Sequence, residues 1–100
     1  MYERIKASSI TQNSGSDMPF VLNYYMLISK SETTDEKDTL TEYGCEISLE
    51  YPNAPQMNES SFIRSISCDR RFTERLIGRL IDGAVTPCTL FDIVYDHISE

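Results

Sequence analysis

A single histidine, three cysteines and four glycines leave this 100-residue chain little equipment for catalysis or nucleotide binding. Few glycines mean few places where backbone amides can approach a phosphate closely. No Gly-rich phosphate loop, GxSxG turn, HExxH helix or EF-hand loop occurs. No run of eighteen apolar residues is present, so no membrane-spanning helix is expected. The opening stretch, residues 1–10, lacks the apolar segment of a signal peptide, and the expected compartment is the cytoplasm. Three cysteines cannot all pair with one another, and a reducing compartment keeps them as thiols. Basic residues are also scarce. Nine Lys and Arg against sixteen Asp and Glu give a net charge of −7, a field that repels nucleic acid.

What remains is an ordinary globular composition, with 40% hydrophobic and 25% charged residues, enough for one domain over 1–100 with one modest core. Two periodicities divide the chain near residue 69. Tyr43, Cys45, Ile47, Leu49 and Tyr51 alternate with Glu42, Gly44, Glu46, Ser48 and Glu50. Alternation of this kind predicts a strand with one buried and one wet face, in an antiparallel sheet. Residues 20–29 (FVLNYYMLIS) predict a central strand, apolar on both sides and covered on each. Residues 61–67 and 2–11 complete three or four strands within 2–67, joined as a meander. The polar run 31–38 (SETTDEKD) reads as a mobile hairpin connection, and Asn13 to Asp17 as a turn.

Beyond residue 69 the period becomes helical. Phe72, Leu76, Ile77, Leu80 and Ile81 fill one half of a helical wheel over about 70–82. Asp69 is placed to cap its first turn and Gly83 to end it. A second helix is predicted over about 87–99, capped by Thr86 with Pro87 at the first position. Its apolar stripe is Leu90, Phe91, Val94 and Ile98, with Ile93 and His97 on one border. The expected architecture is α+β: an antiparallel three- to four-stranded meander followed by two C-terminal helices on one face.

Charge is strongly segregated. Residues 32–59 carry eight acids and one base, residues 64–79 carry five arginines and two acids, and residues 82–100 carry four acids. Arg71, Arg75 and Arg79 recur every four residues and so form one ridge on the first helix. The simplest reading is a solvated helix flank; the sharper one is a docking edge for an acidic partner or anionic ligand. Arginine's planar fork suits such recognition better than lysine does. Glu42, Glu46 and Glu50 read as a solubilising sheet face, or as a surface for a basic partner. Successive members stand about 13 Å apart, too far for a carboxylate pair in acid–base work.

Cys88, in the expected first turn of the second helix, is the candidate reactive thiol, because a helix dipole lowers a thiol pKa there. His97 is nine residues further on, about 13 Å along a helix, so the two form no local dyad. Cys45, Cys68, Cys88 and His97 are zinc-type ligands without zinc-type spacing, and neither metal nor cofactor is expected.

Three stretches carry a resemblance: Tyr43–Ile47 (YGCEI), Ile66–Asp69 (ISCD) and Val85–Asp96 (VTPCTLFDIVYD). They are similar to a family of small uncharacterised proteins, a domain of unknown function, from clostridia and related Gram-positive bacteria. The similarity covers about residues 24–100. Before Leu90, where that pattern often has histidine, this chain has Thr89. The resemblance implies a shared fold and a cytoplasmic bacterial origin, without an activity.

The expectation is a non-enzymatic protein–protein interaction or regulatory module, binding an unidentified protein partner or a second copy of itself as a homodimer. The alternative is a small-ligand-binding or thiol-dependent enzyme using Cys88.

Overall fold

The computed structural model describes residues 2–12, 19–32 and 39–98. Four strands, β1 (Tyr2–Gln12), β2 (Phe20–Glu32), β3 (Thr39–Glu50) and β4 (Glu59–Ser67), form one antiparallel sheet in the order β1-β2-β3-β4. Two helices follow, α1 (Arg70–Asp82) and α2 (Leu90–Ile98). This is the expected α+β meander with two C-terminal helices. Ser31 and Glu32 extend β2 rather than joining the connection; residues 33–38 of that expected connection, and the expected turn at 13–17, lie outside the described residues. Among the described residues no helix is long and apolar enough to cross a membrane.

Period two sorts β2 and β3 as their sequences demand. Leu22, Tyr24, Met26 and Ile28 pair across to Leu49, Ile47, Cys45 and Tyr43, and point to the same side. There they meet Leu76, Ile77 and Leu80 of α1 and Leu90 and Val94 of α2 in one core. Full burial of a leucine stabilises by about 1.5–3 kcal/mol, so this face holds the helices to the sheet. Tyr24 is buried with the apolar residues because its hydroxyl donates to the Val85 carbonyl, 2.9 Å away.

On the outer face Asn23 and Leu27 of β2 are buried as well, as expected of a central strand covered on each side. Gly44, read from its alternation as a wet-face residue, is also buried. Tyr43 pairs with Ser67 and Cys45 with Ile63, so residues 64–66 of β4 stand opposite Gly44 alone. A Cβ at this position would run into the carbonyl oxygens of Ile63 and Arg64. The glycine is required by close backbone approach at a bulge, not by a turn.

Helix α1 begins as predicted: the Asp69 carboxylate accepts from the Arg71 and Phe72 amides at 2.9 and 3.4 Å. Its end differs in detail. Gly83 has an ordinary φ of −89°, and Ala84 takes the left-handed position at φ 48°. The Ala84 amide bonds the Ile81 carbonyl and the Val85 amide bonds the Leu80 carbonyl, both at 3.0 Å. That pair of bonds is a Schellman closure, shifted one residue beyond the glycine.

The second helix starts later than its Thr-Pro sequence predicts. Pro87–Thr89 forms a 3-10 turn, α2 begins at Leu90, and the Thr86 side chain makes no cap hydrogen bond. The Thr86 carbonyl instead accepts from the Thr89 amide and hydroxyl, at 3.2 and 3.3 Å. Only Leu90 and Val94 of the expected stripe are buried. Phe91 (45% exposed) and Ile98 (47%) face outward with Tyr95 (58%), and the Phe91 and Tyr95 rings stack.

Candidate functional site

The arginine ridge is where the wheel places it. Leu76, Ile77 and Leu80 turn to the sheet, and Arg71, Arg75 and Arg79 are exposed on the rest of the helix. The neighbouring pair is self-contained: Arg70 Nε lies 2.9 Å from Glu74 Oε1, one turn away, with both side chains about half exposed. Arg79 is also engaged within the chain and sits in the last turn, where a cation complements the carbonyl end of the helix. Between the ridge and Phe72 the surface dips into a hollow of about 390 Å³, lined by Phe72, Arg75, Gly78, Arg79 and Asp82. Two guanidinium groups, one aromatic ring and one carboxylate thus share a concave strip of helix surface.

The acidic strand is less open than its sequence implies. Arg4 of β1 reaches across β2, its Nη1 lying 3.1 Å from Glu46 Oε2, and leaves the Glu46 side chain only 14% exposed. On the way its guanidinium stacks over the Tyr25 ring, 4.2 Å from the centroid. Lys6 approaches the same ring at 5.8 Å. Asn23, 3% exposed, donates its amide to Ser48 Oγ and Glu50 Oε2 at 3.3 and 3.2 Å. Two of the three glutamates therefore act within the chain: Glu46 anchors an edge strand and Glu50 satisfies a buried amide. The alternation of Arg4 and Lys6 along residues 2–11 was the signal for this cluster, because it sets both cations on one face of that strand.

The three cysteines are separate. Cys45 is in the core, and burial pushes its thiol from 9.0 up to about 12. Cys68 and Cys88 are exposed. Cys88 lies in the 3-10 turn Pro87–Thr89, which runs directly into α2 at Leu90. Its sulfur lies 3.3 Å from Thr86 Oγ1 and borders a hollow of about 430 Å³ with Glu59, Ser60, Ser61, Pro87 and Phe91. Among these lining residues there is no cation and no imidazole to hold a thiolate. Among the described residues no three His, Cys, Asp or Glu side chains converge as metal ligands, and the His97 side chain lies outside those described.

Comparison with known proteins places this geometry in a family. A family of unknown function, DUF6514, matches residues 3–100, and the chain belongs to it. The match takes in β1, which the motif resemblance over 24–100 left out. No curated protein and no solved structure matches the chain.

Proposed function

We propose that this DUF6514 member is a non-enzymatic interaction or regulatory module that docks an acidic protein partner on the solvent face of α1, in the cytoplasm. One observation carries the reading: Arg71, Arg75 and Arg79 are all exposed on a rigid helix whose other face is locked into the core. The helix holds the three arginine Cα positions in fixed register, so docking orders side chains but no backbone. The net charge of −7 repels any anion at long range, so attraction is confined to the arginine strip itself, which a short acidic segment can match and a long polyanion such as nucleic acid cannot. Three free cysteines, two of them exposed, fit a reducing compartment.

The test is capture by the purified protein against a triple variant, Arg71→Gln/Arg75→Gln/Arg79→Gln, with circular dichroism confirming that both fold alike. A specific partner retained by the first and lost by the second, with strong salt dependence, supports the reading. Equal capture by both rejects the ridge. Self-association of the basic helix of one copy on the acidic strand of another is the weaker variant, because Arg4 and Asn23 already occupy Glu46 and Glu50. Light scattering that finds only monomer at high concentration and low salt rejects it.

A second reading, a small-ligand-binding or thiol-dependent activity at Cys88, has the exposed thiol beside its hollow in its favour. A Cys88 that labels no faster than a free cysteine at pH 7 removes it.

A further inference from the structure

We propose that the hollow over Gly78 is a groove for an acidic α-helix crossing α1, an inference that rests on the arginine ridge being the partner face. Gly78 sits inside a 13-residue helix, where glycine costs about 1 kcal/mol relative to alanine. Among the described residues nothing fills the space of its missing side chain: a Cβ built there meets no atom within 4 Å. Gly44 shows the contrast, since there the β4 backbone fills the space a side chain would need. A helix interior asks for no unusual backbone angle either, so neither conformation nor internal packing explains Gly78.

Its position does. Gly78 lines the hollow together with Phe72, Arg75, Arg79 and Asp82. A small residue at a helix crossing lets a second backbone come closer than the usual 8–10 Å, about the separation at which ordinary side chains meet. Arg71, Arg75 and Arg79 climb the helix at about 6 Å per step, the same spacing as glutamates four apart on a facing helix. Each contact in such a ladder is a charge-assisted hydrogen bond, and the Phe72 ring supplies apolar contact beside it.

Charge also selects the occupant. The strip carries Arg71, Arg75 and Arg79 against Asp82, so a second copy's α1 would bring arginine against arginine. An acidic strand is a poorer fit, because its side chains on one face repeat at about 6.6 Å along a flat surface and do not enter a dip. A helix with glutamates flanking a small central residue matches both the ladder and the hollow.

The probe is a synthetic helical peptide of about 20 residues with glutamates four apart around a central alanine, set against a scrambled peptide of equal charge. Binding is read by fluorescence anisotropy to the intact protein, the triple Arg→Gln variant and Gly78→Leu. Gly78→Leu folds at least as well as the parent, since its side chain enters open space and leucine favours helix. The expected result is tight, salt-sensitive binding of the patterned peptide, lost in the triple variant and weakened about tenfold or more by Gly78→Leu. If the triple variant loses binding and Gly78→Leu keeps it, the arginine reading survives and the groove is overturned. Failure of the patterned peptide to bind, or equal binding of the scrambled peptide, also overturns it. Tighter binding of a short DNA duplex with the same arginine dependence replaces the helix by a phosphate backbone.

Discussion

The Tyr24 hydroxyl and the Val85 carbonyl meet at 2.9 Å across 61 residues of sequence, joining the central strand to the segment that closes α1. Val85 is also the residue whose amide completes the closure of α1 on Leu80. One peptide segment thus ends a helix with its donor and ties the helix layer to the sheet with its acceptor. Tyr24→Phe leaves the ring in place and a buried carbonyl without its donor. Urea unfolding is expected to show a loss of about 1–2 kcal/mol with unchanged slope, and an unchanged midpoint would deny the bond any structural weight.

Gly44→Ala is expected to cost more. The added methyl meets carbonyl oxygens rather than a movable side-chain end, so β4 must shift or the β3–β4 pairing must open. A loss of about 3 kcal/mol, seen in thermal or urea unfolding, is the scale of such overpacking. Full tolerance would mean that the bulge at residues 64–66 relaxes freely.

Ala84→Gly is expected to act in the opposite sense. Ala84 holds φ at 48°, a region where an L side chain is strained and glycine is not. The gain is smaller than the strain, because glycine also adds freedom to the unfolded chain. A net rise of about 0.5–1 kcal/mol is the expected outcome of urea unfolding.

Cys45 makes the fold sensitive to alkali. Its folded pKa, near 12, lies above its ordinary value of 9.0, so the folded state holds this proton more tightly than the unfolded state does. The associated stability is complete below about pH 9 and is lost as pH rises from there toward about 12. Tyr24, raised by the same burial, adds loss of the same sign above its ordinary value of 10.0. Cys45→Ala removes the cysteine contribution, so its unfolding midpoint is expected to fall less steeply between pH 8 and 10 than the parent's. In the folded protein at pH 8, a thiol reagent is expected to modify Cys68 and Cys88 and to leave Cys45 until unfolding.

Elements written in a single periodicity were legible in the sequence. The inward set Cys45, Ile47 and Leu49, the stripe Leu76-Ile77-Leu80 and the Asp69 cap each depend on residues close in the chain, and each folds as its pattern predicts. Features set by distant strands were not legible. Gly44 reads as a wet-face position until the β4 bulge is laid against it. Glu46 and Glu50 read as solvated until Arg4 and Asn23, from β1 and β2, are placed beside them. The α2 stripe names the residues that are apolar, but only the sheet's extent decides that Leu90 and Val94 are covered while Phe91 and Ile98 are not. Of the candidate site, the arginine ridge follows from four-residue spacing alone, whereas the hollow over Gly78 appears only with the side chains of Phe72 and Asp82 in place.

Strand β2 and helix α1 have 13 residues each, yet an extended chain of that length runs about 43 Å and a helical one about 20 Å. The molecule is accordingly 55 Å long and 17 Å thick, with helices backing only part of its ribbon. Deuterium uptake is therefore expected to be graded along a single strand pair. The amides of Leu22 and Leu49, over the helices, exchange late, and those of Lys30 and Thr41, further along the same ladder, exchange early.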